Sequence, residues 1–403
     1  EKTLGDKSKK LLDAEAAKSL AKPAAKPAAK RGATDQRILF KAMTGTADSI
    51  FNPLYDRHLD LDIIFKKGTT TLVLKELPQP RKTTLFIKGD FTRPSEEVQP
   101  GVLAVLPPLP ADTKADRLAL ARWIIDPKNP LTARVIVNRV WQQYFGRGLV
   151  ETENDFGTMG RLPSHPELLD WLAVDFMDHH WSLKHLHQLI VTSATYQQSS
   201  VVRQSAAAVD PNNYLLWRQN RLRLDAEIVR DVCLATSGLL SSKMGGAPVY
   251  PPIPEGVLSL GQVKRSWPLS KGSDRYRRGL YTFIFRATPP PALSVFDAPD
   301  GFSTCTRRIR SNTPLQALTM LNDSAYVEFA QALAARLIKE AKTDDARIAH
   351  ACQLCLSRPP LDREREALLR LLNVERKSNA TEPQAWQAVA RVMLNLDETI
   401  TRE

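Results

Sequence analysis

Apolar residues recur at three- and four-residue steps through most of the chain beyond residue 110, the spacing of helices that bury one face. Ala115–Ile125 reads as an amphipathic helix stopped by Asp126-Pro127, and Ala133–Phe145 as a second closed by Gly146 and Gly148. Ser164-His-Pro-Glu167 has the form of a capping box that launches a helix to about Met177, and Ser182 caps another running to about Thr195. Asp225–Leu240 predicts a longer helix. Thr313-Pro-Leu-Gln316 repeats the capping pattern and starts a helix toward Lys339, with Asn322-Asp323 as the place where it would break. Helical segments over Ala346–Leu356, Arg363–Glu375 and Pro383–Leu396 complete the pattern.

Nearer the N-terminus the period changes to two. LDIIF (61–65), TTTLVLKEL (69–77) and TTLFIKG (83–89) predict a small set of strands, separated by Lys67-Gly68 and by Pro78 and Pro80. One further strand is expected at Leu280–Arg286, with Tyr281, Phe283 and Phe285 on one face. Leu103–Pro110 is proline-rich and expected to wrap the following domain. Residues 1–36 end in AKPAAKPAAKR, where Pro23 and Pro27 interrupt helix and favour an extended linker. The fold class expected is mainly α: a multi-helix domain with a small antiparallel β element near the N-terminal side and one or two further short strands. The expected division is a Lys/Ala/Pro-rich linker over 1–36, a small β-containing region with a proline-rich connection over 37–110, and a mainly helical domain over 111–403.

Composition narrows the class. No run of 18 apolar residues exists, so no transmembrane segment is expected. The opening EKTLGDKSKK is not a signal peptide and reads as the start of a mature fragment or of a piece of a longer protein. The net charge is +12, with ten Lys/Arg against five Asp/Glu in residues 1–37. A basic balance suits nucleic acid, anionic lipid or acidic polysaccharide. Zinc-finger spacing, an RNP pattern and a basic stripe interleaved with aromatics are all missing, so no nucleic-acid partner is expected. Of the four cysteines, Cys352 and Cys355 have C-x-x-C spacing, but Leu356 stands where a c-type haem site needs His. They read as two buried side chains of a helix, with a redox pair or metal half-site as the alternative.

Three constellations are candidates for chemistry. Between Gly146 and His165 a glycine-rich loop can hold Asp155, Arg161 and His165 over a cleft; the alternative is that they satisfy buried loop backbone. His179, His180, His185 and His187 invite a metal reading. His185 and His187, however, point about 200° apart on a helix, where a ligand pair wants i and i+4. No metal site is therefore expected, and His179 or His180 with another segment is the open alternative. The third lies in residues 275–310, where Arg275, Arg277, Arg278, Arg307, Arg308 and Arg310 flank Asp297 and Asp300, with Cys305 in the same loop. Arginine forks match sulfate, phosphate or uronate groups, and two carboxylates with separated pKa values can divide acid and base roles. The alternative is an internal network in which the two aspartates neutralise the arginines. Nucleophile-elbow, zinc-protease and nucleotide-binding signatures are missing, so whether the chain is an enzyme is left open.

From about Phe86 to Arg402 the chain resembles a bacterial domain of unknown function typical of planctomycetes. The landmarks are IKGDFTRPSEEVQPGV, NRVWQQYFGRGLV, DFG with PSHPELLDWLA, SATYQQSS, NRLRLDAEIVRD, RRGLYTFIFRATPPPALSVFDAPD, NTPLQALTMLND and LNLDETITRE. The resemblance implies the C-terminal part of an exported protein carrying cytochrome-c-like domains. It supplies no catalytic residues. On that footing the expected setting is extracytoplasmic, in periplasm or at the cell surface. The expected partners are a cytochrome-c-like domain or protein and an anionic polysaccharide. No cofactor is expected in this chain; haem c belongs to a separate segment or partner. The leading expectation is the ligand- or glycan-handling part of an oxidoreductase in a cytochrome-linked surface system. Its rival is a non-catalytic assembly module with a partner-binding surface.

Overall fold

The computed structural model describes residues 21–32, 34–36, 38–39, 57, 60–61, 71–79, 81–260 and 265–402. Contacts divide the chain into two units, Glu1–Gln99 and Pro100–Glu403.

In the first unit β1 (Thr83–Phe86) pairs antiparallel with β2 (Pro94–Val98), Thr83 opposite Val98 and Thr84 opposite Glu97. The connection turns at Lys88 and Gly89, both in the left-handed region, and Asp90 fixes it by accepting from the backbone N–H and hydroxyl of Thr92. Residues 71–77 have strand composition yet join no ladder, and Leu72, Val73 and Leu74 are exposed. Strand propensity acts through neighbours to pack against, and none is described there. Most of LDIIF lies outside the described residues. Residues 21–25 are helical despite Pro23, and Ala28–Lys30 forms a 3-10 turn, so the stretch is not extended. Arg31 supplies the reason by donating to the carbonyls of Pro23 and Ala24.

The second unit is built of helices: α1 (Arg117–Ile124), α2 (Thr132–Phe145), α3 (Pro166–Asp178), α4 (Leu183–Val191), α5 (Ala194–Gln197) and α6 (Gln204–Val209), then a short strand β3 (Leu222–Arg223). After it come α7 (Ala226–Thr236), α8 (Pro291–Ser294), α9 (Pro314–Asn322), α10 (Ser324–Glu340), α11 (Asp344–Leu356), α12 (Asp362–Lys377), α13 (Glu382–Leu394), α14 (Asp397–Ile400) and β4 (Thr401–Arg402). The fold is mainly α. Among the described residues no helix is long and apolar enough to cross a membrane.

Caps explain where several helices differ from the sequence expectation. Ser164 does not cap α3; its backbone N–H is taken by the Leu149 carbonyl, and His165 holds the N-cap position. The helix from Ser182 ends at Val191 because Ser193 caps a new turn by accepting from Tyr196 N–H. Asp323 ends α9 and caps α10 through Ala325 N–H, which puts a break where the sequence placed one.

The segment 280–286 is not a strand. A 3-10 turn occupies Gly279–Tyr281, residues 282–285 join only single bridges, Val249 to Thr282 and Phe285 to Thr288, and Arg286 lies in the turn between the last two. Its neighbour reads Pro248-Val-Tyr-Pro251-Pro252, and prolines cannot donate to a ladder. Aromatic packing of Tyr250, Trp267, Phe283 and Phe285 holds the segment instead.

Two apolar cores form among the described residues. One joins α2, α3 and α4 through Val137, Trp141, Phe145, Leu172, Phe176, Leu186 and Ile190. The larger gathers α7 to α14, with α10 packed along α13. On α10, Phe329, Ala330, Leu333, Ala334 and Leu337 form one stripe, and on α13 Ala385, Trp386, Val389, Ala390 and Met393 form another. The alanines let the two axes approach, and the large residues fill the space beside them. Cys233, Cys352 and Cys355 are packed into this core. β3 pairs antiparallel with β4, Leu222 opposite Arg402 and Arg223 opposite Thr401, which ties the end of α14 to the edge of the α2 bundle.

Candidate functional site

Five of the six candidate arginines, Arg275, Arg278, Arg307, Arg308 and Arg310, face acids from elsewhere, and Arg277 is held by backbone carbonyls. Arg275 makes a fork to Glu328 on α10, at 2.7 to 3.1 Å, and Tyr276 donates to the same carboxylate at 2.6 Å. Burial pushes Glu328 up, but these bonds outweigh it and hold the carboxyl below its ordinary value. Arg278 Nε donates to Asp231 of α7 at 2.9 Å, and Gly279 N–H takes the other oxygen. Arg308 is bidentate to Glu227 of α7 at 2.6 and 3.1 Å. Arg310 lies 3.4 Å from Asp225, and Arg307 lies 4.0 Å from Glu153. Arg277 is 1 % exposed and donates to the carbonyls of Lys243, Gly245 and Ala247, with its guanidinium over Tyr281. These partners make the segment a strap over α7 and α10.

Asp297 and Asp300 do not neutralise those arginines. Asp297 accepts from Arg223 and from the backbone and hydroxyl of Ser311. Burial opposes ionisation there, and the Ser311 and Arg223 bonds overcome it, so the pKa is lowered. Asp300 is exposed and accepts from Phe302 and Ser303 N–H, which also lower it. Each carboxyl is thus held below its ordinary value by its own set of donors.

Asp155 accepts from Gly157 N–H at 2.8 Å and so closes its own turn. The same loop reaches the arginine segment through Asn154, which donates to Thr306 at 2.8 Å. His165 Nδ1 lies 3.0 Å from Ser164 Oγ, which also lies 3.3 Å from the Leu149 carbonyl. Among the described contacts no third group bonds this imidazole. Cys305 is exposed and donates to the Arg307 carbonyl. Cys352 and Cys355 do not fit a haem thioether: both are buried in α11 and followed by Leu356, and burial pushes their thiols up to about 11 and about 12.

A cleft of about 270 Å³ opens beside the C-terminal end of α2, lined by Trp141, Arg147, Ser164, Asn212, Tyr214 and Arg221 among others. The chain can pass there because Gly146, at φ 77°, stands where a Cβ would come 2.7 Å from the Leu222 side chain. Asn213 and Asn220 build the wall: Asn213 donates to the Arg218 carbonyl and to Asn220, and Asn220 donates to the Phe145 carbonyl. Arg147 lies over the Tyr214 ring at 4.1 Å, and its Nη1 is buried without a hydrogen-bond partner. The lining residues include no carboxylate, imidazole or thiol.

A family model described as PSD1, a protein of unknown function (DUF1553), matches residues 116–372. The chain belongs to this family. The DUF1553 match begins at the N-cap of α1 and ends inside α12, so it takes in the cleft and the arginine strap but not α13, the main partner of α10. No curated protein and no solved structure matches the chain.

The sequence reading missed the cleft and the acids that hold the arginines. A signal for the acids was present: Glu227 and Asp231 stand four apart and share a face of α7. The cleft had only the Pro211-Asn-Asn-Tyr214 turn signal, which marks a loop without revealing that it closes on α2.

Proposed function

We propose that this DUF1553 domain binds a small polyhydroxylated, sugar-like ligand in the cleft beside α2 and performs no chemistry on it. The lining carries the reading: aromatic rings of Trp141 and Tyr214, the Asn212 amide and the Arg147 guanidinium, without a carboxylate, imidazole or thiol. Aromatic faces with planar amide and guanidinium groups suit a ring that carries hydroxyls, and the volume lies at the small end for ligand sites. Arg147 would meet the carboxylate of a uronate. The resemblance to exported, cytochrome-associated proteins supports an extracytoplasmic glycan-handling role, in which any redox step belongs to a haem-bearing segment or partner. In this reading the arginine strap is structural, the part of the molecule that the assembly-module alternative describes.

The test is calorimetric titration of the full chain with neutral and uronate disaccharides. Binding should appear for at least one of them and weaken about tenfold or more in Tyr214→Ala and Arg147→Ala, with melting temperature little changed. No heat with any disaccharide, or equal binding by both variants, would overturn the reading.

A further inference from the structure

We infer that Asp175, His179 and His185 form a binding site for a divalent cation of the zinc class, built across the turn between α3 and α4 and independent of the cleft. One ligand atom from each of the three residues lies within 4.8 Å of the others. His185 Nε2 is 2.8 Å from Asp175 Oδ2, and His179 Nδ1 is 3.2 Å from Asp175 Oδ1. Neighbouring ligands around an ion with bonds of about 2.0–2.1 Å stand roughly 3 Å apart, so each histidine already has that spacing from the Asp175 carboxylate, and the two ring nitrogens lie within 4.8 Å of each other.

Local structure explains the convergence. Asp175 and His179 are i and i+4 near the end of α3 and share one face. The chain then reverses in a Schellman motif: Trp181 N–H bonds the Phe176 carbonyl, His180 N–H bonds the Met177 carbonyl, and the rings of Phe176 and Trp181 meet at 5.3 Å. His180 and Trp181 both take left-handed backbone, at φ 55° and 58°. Ser182 then caps α4 through His185 N–H and brings the His185 ring back onto His179, stacked at 3.7 Å. His187, which points away, bonds Tyr144 instead.

Two imidazoles and one carboxylate are a donor set for Zn²⁺ and its neighbours, not for Ca²⁺ or Mg²⁺. Asp175 is largely covered and His179 is half exposed, so an ion here would keep an open position toward solvent. The stacked rings lie in nearly parallel planes, and the lone pairs lie within those planes, so both cannot point at one ion between them. Binding therefore requires the rings to fan apart by rotation about χ2, a soft torsion. It also requires each ring nitrogen that faces Asp175 to lose its proton or pass it to the other ring nitrogen.

The test uses the full chain, stripped with a chelator and titrated with Zn²⁺ by calorimetry and with Co²⁺ by visible absorption. One ion per chain is expected, with a melting temperature that rises with Zn²⁺ concentration. Asp175→Asn and His185→Gln, both close in shape to the native residues, should each weaken binding about tenfold or more, while His187→Gln leaves it intact. Far-ultraviolet circular dichroism checks that each variant folds. No Zn²⁺ binding by the wild type, or equal binding by wild type and a His179→Ala/His185→Ala double variant, would sink the proposal. Disaccharide binding involves none of these three residues, so either proposal can fail alone.

Discussion

Histidine at position 180 occupies the C′ place of a Schellman motif, where glycine is the usual residue because a Cβ is penalised at φ 55°. Replacing it with glycine should stabilise the protein by about 1 kcal/mol. The change would be read as a higher denaturant midpoint with an unchanged slope. Glu364 makes a second prediction. Arg358 donates to it through two nitrogens at 2.8 and 2.9 Å, and Leu361 N–H adds a third bond, which together lower the carboxyl to about 2. A lowered carboxyl contributes stability above its ordinary value of 4.5 and loses it as pH falls toward 2. Melting measured across that window should fall less steeply in Glu364→Gln than in the wild type. At pH 7 the same variant should be less stable by about 1 kcal/mol or less, because the pair is partly screened by solvent. Single residues were read well from sequence where the signal was local, as at Ser182 and Thr313. They were read poorly where the partner was remote: Asp297 stood among arginines in sequence, yet its cation is Arg223 from β3.

At the scale of elements, the arginine segment shows how an apparent binding cluster becomes a strap. α7 presents Glu227 and Asp231, with Asp225 at its N-cap, and α10 presents Glu328, so the cations are taken up where the segment crosses these helices. Glu227→Gln should therefore lower stability by about 1–2 kcal/mol, measured by chemical denaturation, and leave disaccharide binding unchanged. Lost binding with unchanged stability would instead return this segment to the role of a site. Helix positions followed from periodicity because each buries a stripe, and the break at Asp323 followed from a residue that ends one helix and caps the next. The aromatic run at 280–286 misled because alternation fixes which way side chains point, whereas a strand also needs a neighbour able to donate, and Pro248, Pro251 and Pro252 are not.

For the whole molecule, the division of thiols follows from the packing of the larger core. Cys233, Cys352 and Cys355 lie inside it with pKa values raised by burial, while Cys305 sits on an exposed loop. A thiol reagent should modify Cys305 quickly in the native protein and reach the other three only on unfolding. Rapid reaction at Cys352 would show that the α10–α13 core opens locally. Mainly helical architecture was legible from composition and period. The cleft was not, because it arises where a loop from residues 211–222 closes on α2, a long-range contact that no local pattern encodes.

The pairing of β3 with β4 also orders events in time. A ribosome releases Arg223 long before it releases Thr401, so the α2–α4 bundle can gather while its seam to the other core is still unmade. Arg402, which donates to the Gln143 and Tyr144 carbonyls at the end of α2, arrives later still. Until that residue emerges the nascent chain carries two helical clusters without their clasp, a state that is unravelled more readily than the finished domain.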